Sequence, residues 1–364
     1  MSKSELFPRP MEQPRTPKQY VFDELRADLG AFRPHERALI ARRIAGEPLE
    51  PHEQAATDDA RDQWWERKYG FPYALKPARE EVLRRKYAQP EELQRSHALL
   101  TEIFDAIEHD DERTIARLKD RYLSEFPDQL EGVEVLFGVR EFLEQSVELG
   151  KRRGRPNYLA EAKPFQDITE YQFLFTHYLL SAGEDKTFLQ RFWNVADQIA
   201  DRIGQRAELD KLRRGLLSQV AAFRVLQELG REPHLSHPSE DAFRAVDLWA
   251  GDDTAIQVKG EARRLDQPAV VEVNDVAFPV VKTRSADDRA HFNANLHKTH
   301  ARFRMRLREY GQLTGKAYRG YVLVIPNQKI DFVTGEPAPE LVAKFRELLR
   351  RSAGASSGRT TRAA

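Results

Sequence analysis

The apolar positions change their period near residue 204. From Val21 to Arg206 they recur at three and four residues, the spacing of one helix face. Ser96–Ile107 puts Leu99, Leu100, Ile103 and Ile107 on one side, and Thr114–Leu123 and Val133–Leu149 follow the same rule. Thr169–Leu180 crowds Tyr171, Phe173, Phe175 and Tyr178 together. Phe188–Ile203 repeats the period through Leu189, Phe192, Trp193, Ala196 and Ile199. Pro72, Pro77, Pro90, Pro127 and Pro164 punctuate these helices, as first-turn residues or breaks. The pattern predicts an all-α domain over residues 21–203.

Beyond Gly204 short runs of Val, Ile, Leu and Trp replace the long helical stripe. Leu216–Leu229 reads as a helix stopped by Gly230. Strand-length runs follow at Ala245–Trp249, Thr254–Val258 and Val270–Val273. A helix at Asn293–Tyr310, a strand at Tyr318–Ile325 and a helix at Pro339–Leu349 complete the series. This order predicts an α/β or α+β domain over 204–350, a central mixed sheet flanked by helices. Pro8, Pro10, Pro14 and Pro17 predict an extended or disordered arm over 1–20, and the small polar residues from Ser352 predict a loose tail over 351–364.

Composition narrows the partners. Of 364 residues 40% are apolar, enough for more than one core. Basic and acidic side chains balance at 58 each, so nucleic-acid binding must rest on local charge. The absence of cysteine excludes disulfides, thiol nucleophiles and thiolate metal sites, and fits a reducing compartment. The start has no signal-peptide core, and no run approaches the ~18 apolar residues of a membrane span. A soluble cytoplasmic protein without a membrane partner is expected.

The chemistry concentrates in AVDLWAGDDTAIQVKGE, Ala245–Glu261. Asp247 falls on one short strand, Gly251–Asp252–Asp253 makes the turn, and Gln257 and Lys259 fall on the next strand. Alternation puts Gln257, Lys259 and Glu261 on one face, with Ile256 and Val258 on the other. The hairpin would bring Asp247 beside Gln257 and Lys259. Such a group suits phosphodiester hydrolysis. Asp247 would hold Mg²⁺ (or Mn²⁺), with the Gln257 side-chain oxygen and the Val258 carbonyl as further ligands. Lys259 would orient or deprotonate the attacking water, or pair with the phosphate. On the preceding helix Gln219 shares the apolar stripe of Phe223 and Leu226, and is expected to point at the same site.

With these residues in place, Gly215–Gly260 resembles the core of the PD-(D/E)XK nuclease superfamily, the restriction-endonuclease-like fold. The segment is most similar to Holliday-junction resolvases and Mrr-type restriction enzymes. The resemblance covers roughly Gly204 to Arg350. It implies that Gln219, Asp247, Gln257 and Lys259 are the catalytic set, that the cofactor is Mg²⁺ or Mn²⁺, and that the substrate is duplex or branched DNA. Val246 stands where the motif has Pro, and Gln replaces two potential carboxylates. Only Asp247 then carries formal charge into the site, with Glu261 and Asp241 as possible compensation. The competing expectations are a nuclease-fold DNA-binding module that has lost catalysis, and a helical interaction scaffold. The helical half is expected to serve target recognition, homodimerisation or partner binding.

Local positive charge supports a nucleic-acid partner. Lys282, Arg284, Arg289, Lys298, Arg302, Arg304, Arg306 and Arg308 face only Asp287 and Asp288, and Arg289–Arg308 contains no acid. Leu296, Phe303, Leu307 and Tyr310 form the inward stripe of this helix, so the arginines on its flanks are expected to contact phosphates. Arg153–Pro156 (RGRP) matches an AT-hook core but is too short to separate that from a basic linker. Trp249 is expected to be packing, and His234 and His237 lack a third ligand.

Overall fold

The computed structural model describes residues 25–45, 47–69, 90–126, 130–152, 162–183, 185–236, 238, 241, 244–261, 265–273, 283 and 286–357. The 1–20 arm, Arg153–Pro156, His237, Lys282 and Arg284 lie outside these residues. The molecule is mostly helical, with one mixed sheet in its C-terminal half.

Helices α1 (Pro34–Ala45), α2 (Pro51–Tyr69), α3 (Pro90–Glu108), α4 (Glu112–Glu125), α5 (Leu130–Arg152), α6 (Ala162–Ser181) and α7 (Lys186–Arg202) precede the sheet. Their starts are written locally. Asp111 accepts the Thr114 N–H at 3.0 Å ahead of α4, and Asp185 accepts the Phe188 N–H at 2.9 Å ahead of α7. The predicted aromatic crowding is real: Phe175 stacks on Trp193 at 5.1 Å and meets Phe192 edge-on at 5.5 Å.

Helix α8 (Arg206–Glu228) leads into β1 (Pro233–Leu235), β2 (Leu248–Ala250), β3 (Thr254–Glu261) and β4 (Ala269–Glu272). Then come α9 (Ala286–Thr314), β5 (Arg319–Pro326) and α10 (Pro339–Ser357). The sheet order is β1-β2-β3-β5-β4. The central pair β3–β5 is parallel and the other pairs are antiparallel. The last helix continues through the residues expected to begin a loose tail; 358–364 lie outside the described residues. Among the described residues no helix is long and apolar enough to cross a membrane.

Two apolar clusters sandwich the sheet. Ile256, Val258, Leu323 and Ile325 share one cluster with α8, α10 and helices α3–α7, without a break from Leu99 to Leu349. Ala255, Val322 and Val324 share the other with Phe292, Leu296, Phe303 and Leu307 of α9. The helical half and the sheet therefore meet in one continuous core, with α8 between them.

Two differences from the expected strands have physical causes. Ala245 has φ 56°, which an extended chain does not permit, so β2 begins only at Leu248. Strand β1 is three residues long, too short to show a period. Its Pro233 opens an edge strand, where the missing N–H costs no ladder bond.

Candidate active site

Register fixes the directions of the central side chains. Gln257 pairs with Val322 and Lys259 with Val324; both valines belong to the α9-side cluster. Side chains paired in adjacent strands share a face, so Gln257 and Lys259 look toward α9. Asp247 lies one residue beyond the Leu248–Ile256 pair, which places it across from Gln257. It shares the face of Trp249 by alternation. The structure thus brings Asp247, Gln257 and Lys259 together on one sheet face, where β2 has ended and β3 runs on.

Backbone bonds hold this junction. The Asp247 N–H donates to the Ile256 carbonyl at 2.9 Å, and the Asp247 carbonyl accepts from the Ser236 N–H at 3.3 Å. The Asp247 carboxylate Oδ2 accepts the Val258 N–H at 2.5 Å, filling the ladder position that β2 leaves vacant. The N–H and C=O of one strand residue point to the same edge. The Val258 carbonyl is therefore turned toward that edge as well.

Gln219 approaches from α8, as expected, but not with a free oxygen. Its Nε2 donates to the backbone carbonyl of Asp247 at 3.0 Å. That carbonyl only accepts, which fixes the amide orientation. The Gln219 Oε1 consequently meets the Thr176 hydroxyl of α6 at 3.1 Å. Gln219 braces the backbone beneath the site and ties it to the helical half. The expectation that it faces a metal is corrected: both ends of its amide are engaged elsewhere.

The second acid is Asp241, in the connection between β1 and β2. Its carboxyl hydrogen-bonds that of Asp247. Burial pushes Asp241 well above the ordinary aspartate range, reinforced by the Asp247 charge and that shared bond; Lys259 and Arg306 pull the other way. Burial also raises Asp247, opposed by Lys259, the Val258 N–H and the Asp241 contact. Two carboxyls in contact oppose each other's ionisation.

The residues fit a hard cation. Gln257 is 7% exposed, and its Oε1 has no hydrogen-bond partner among the described residues. A buried acceptor left unsatisfied costs about 1–3 kcal/mol, and a cation ligated by oxygen removes that cost. Asp247, Gln257 and the Val258 carbonyl supply such oxygens around one junction. No group of three or more His, Cys, Asp or Glu side chains is arranged for a metal among the described residues; a cation here would take amide and backbone oxygen as well. Lys259 is exposed.

Helix α9 presents Arg289, Lys298, Arg302, Arg304 and Arg308 to solvent. Arg306 is corrected: at 8% exposure it is buried, because it flanks the Phe303–Leu307 stripe and sits within Coulomb range of Asp241. It belongs to the site's electrostatics rather than to an exposed phosphate face. Trp249 is core, with Tyr318 at 5.3 Å and Tyr310 at 5.9 Å, and His234 stacks on it at 6.5 Å.

Sequence alternation located Gln257 and Lys259. Arg306 and the position of Asp241 were not readable, because both depend on how a loop and α9 meet across the sheet. Comparison with protein-family models, curated proteins and solved structures finds no match for this chain.

Proposed function

We propose that the chain is a metal-dependent DNA endonuclease with a restriction-endonuclease-like domain at its C-terminal end. The observation that carries this reading is the convergence of Asp247, Gln257 and Lys259 on one sheet face, with the Gln257 oxygen buried and unpartnered among the described residues. Asp247, the Gln257 oxygen and the Val258 carbonyl would hold Mg²⁺ or Mn²⁺. When bound, that ion supplies activation of water and neutralises charge developing on the phosphate. The chain's own residues do the rest. The Lys259 ammonium hydrogen-bonds a phosphate oxygen and holds the attacking water in line with the scissile bond. Water oxygen bonds to phosphorus and gives up a proton to solvent, the bond to the leaving sugar oxygen breaks, and that oxygen takes up a proton from solvent. Gln219 and the Val258 N–H fix Asp247 so that no reorganisation is needed during the step. The exposed cations of α9 bind the DNA backbone.

Plasmid and branched DNA incubated with Mg²⁺ or Mn²⁺ test the reading. Wild type is expected to cut, and Asp247→Ala and Lys259→Ala to lose at least 100-fold in rate, with DNA binding nearly intact for Lys259→Ala. Cutting by Lys259→Ala at the wild-type rate would remove the chemistry from this site. Binding without cutting in wild type would leave a DNA-binding module on the same fold.

A further inference from the structure

The expected pattern leaves the cation with one charged ligand. Gln219 cannot add to it, since its Nε2 is bonded to the Asp247 carbonyl and its Oε1 to Thr176. Asp241 stands in a different position. Its carboxyl hydrogen-bonds that of Asp247, and Asp247 lies across from Gln257 of β3, whose buried oxygen lacks a partner among the described residues. Two acidic groups in contact thus stand on the sheet face that carries the buried Gln257 oxygen.

We propose that Asp241 is the second carboxylate ligand of the cation site, supplied by the β1–β2 connection instead of by helix α8. This inference rests on the cation site proposed above and extends it. The ligand count favours it. Asp247 alone gives the site one carboxylate, offset by Lys259; Asp241 adds a second, offset by Arg306, and one or two carboxylates are what Mg²⁺ sites use. The buried Arg306 beside Asp241 offsets repulsion between the acids before an ion arrives, which accounts for an arginine on the inner side of α9.

The competing account makes Asp241 a prop: a protonated carboxyl that donates a hydrogen bond to Asp247 and never meets a cation. Asp241→Asn separates the two. An asparagine amide still donates to the Asp247 carboxylate but brings no charge. Free Mn²⁺ is measured by electron paramagnetic resonance during titration of the full chain, without DNA. Wild type is expected to bind one Mn²⁺, and Asp241→Asn to bind it at least tenfold more weakly, with its circular dichroism and thermal midpoint retained. Equal affinity in the two proteins would overturn the proposal and establish the prop. Should Asp241→Asn fail to fold, Asp241→Glu against Asp241→Gln repeats the comparison, and only the glutamate is expected to retain Mn²⁺. Absence of Mn²⁺ binding by wild type would overturn both this inference and the cation site. Mn²⁺ binding that depends on Asp241, without DNA cleavage, would keep the inference and remove the nuclease.

Discussion

Gly260 follows Lys259 where β3 passes over α8, and the approach is close enough to demand glycine. A Cβ there would lie 2.4 Å from Ser218 Oγ, 3.1 Å from Asn327 Oδ1 and 3.3 Å from the Arg214 carbonyl. Ser218 cannot yield easily, since its hydroxyl is fully buried and donates to the Arg214 carbonyl at 2.7 Å. Gly260→Ala should therefore push β3 away from α8 and carry Lys259 with it. Overpacking of this kind costs about 1–3 kcal/mol. Ser218→Ala removes the closest atom, so Gly260→Ala/Ser218→Ala should recover part of the loss. Urea denaturation of the two single variants and the double variant measures the coupling. Strictly additive effects would mean that the Gly260–Ser218 approach does not limit this strand. Gly260 is legible in the sequence as a strand glycine, but its cause is tertiary: nothing in residues 254–261 announces Ser218 on α8.

Helix α9 shows how far an amphipathic period can be trusted. Leu296, Phe303, Leu307 and Tyr310 are buried, as the spacing predicts, and so is Phe292, one residue before the expected helix start. The period also puts His300 and Arg306 at the margin of that stripe. It cannot show that His300 meets the Glu272 carbonyl at 3.1 Å or that Arg306 meets the charge of Asp241. The same limit explains Asp241 itself, a loop residue with no period to place it. By contrast Gln257 and Lys259 were legible because strand alternation alone decides their face. On α9 the exposed cations fall into two rows four residues apart, Lys298–Arg302 and Arg304–Arg308. The first row continues directly into Arg306, beside the acids, whereas the second turns away around the helix. DNA that reaches Lys259 should thus engage the first row. Lys298→Ala/Arg302→Ala is expected to weaken DNA binding and to reduce the slope of log affinity against log salt by about 0.9 per lost phosphate contact. Arg304→Ala/Arg308→Ala should change both much less. Fluorescence anisotropy across a salt series reads the two effects, and a larger loss in the second pair would reverse this orientation of the duplex.

At the scale of the whole molecule, the change of period near residue 204 suggests two domains, and packing joins them. Helix α8 begins where that boundary is expected, yet Leu209, Leu212, Leu216, Leu217, Val220, Ala221, Val225 and Leu226 are all buried in the cluster that runs from α3 to α10. The Thr176–Gln219–Asp247 hydrogen bonds cross the same junction and end at the candidate site. Periodicity reports which residues of a helix are covered, and is silent about whether a sheet or another helix covers them, so this union was not legible. Its energetic weight is large. Fully burying a leucine contributes about 1.5–3 kcal/mol, so separating the halves at only two such leucines costs about 3–6 kcal/mol, against about 5–15 kcal/mol for a whole domain. Neither half should then unfold alone. Trp193 lies in the helical half and Trp249 in the α9-side cluster, and α2 carries Trp64 and Trp65, so in a Trp64→Phe/Trp65→Phe background Trp193→Phe and Trp249→Phe each leave one fluorescent reporter on the other side of α8. Urea unfolding of both variants, followed by fluorescence and by far-ultraviolet circular dichroism, should give superimposable single transitions for the two probes once the small stability change of each substitution is aligned. Thr176→Val, which removes one hydroxyl from α6 at constant shape, should lower the midpoint in both reporters equally. A first transition seen by the Trp193 reporter alone would show that the helical half is an independent domain, and that α8 belongs to the sheet only.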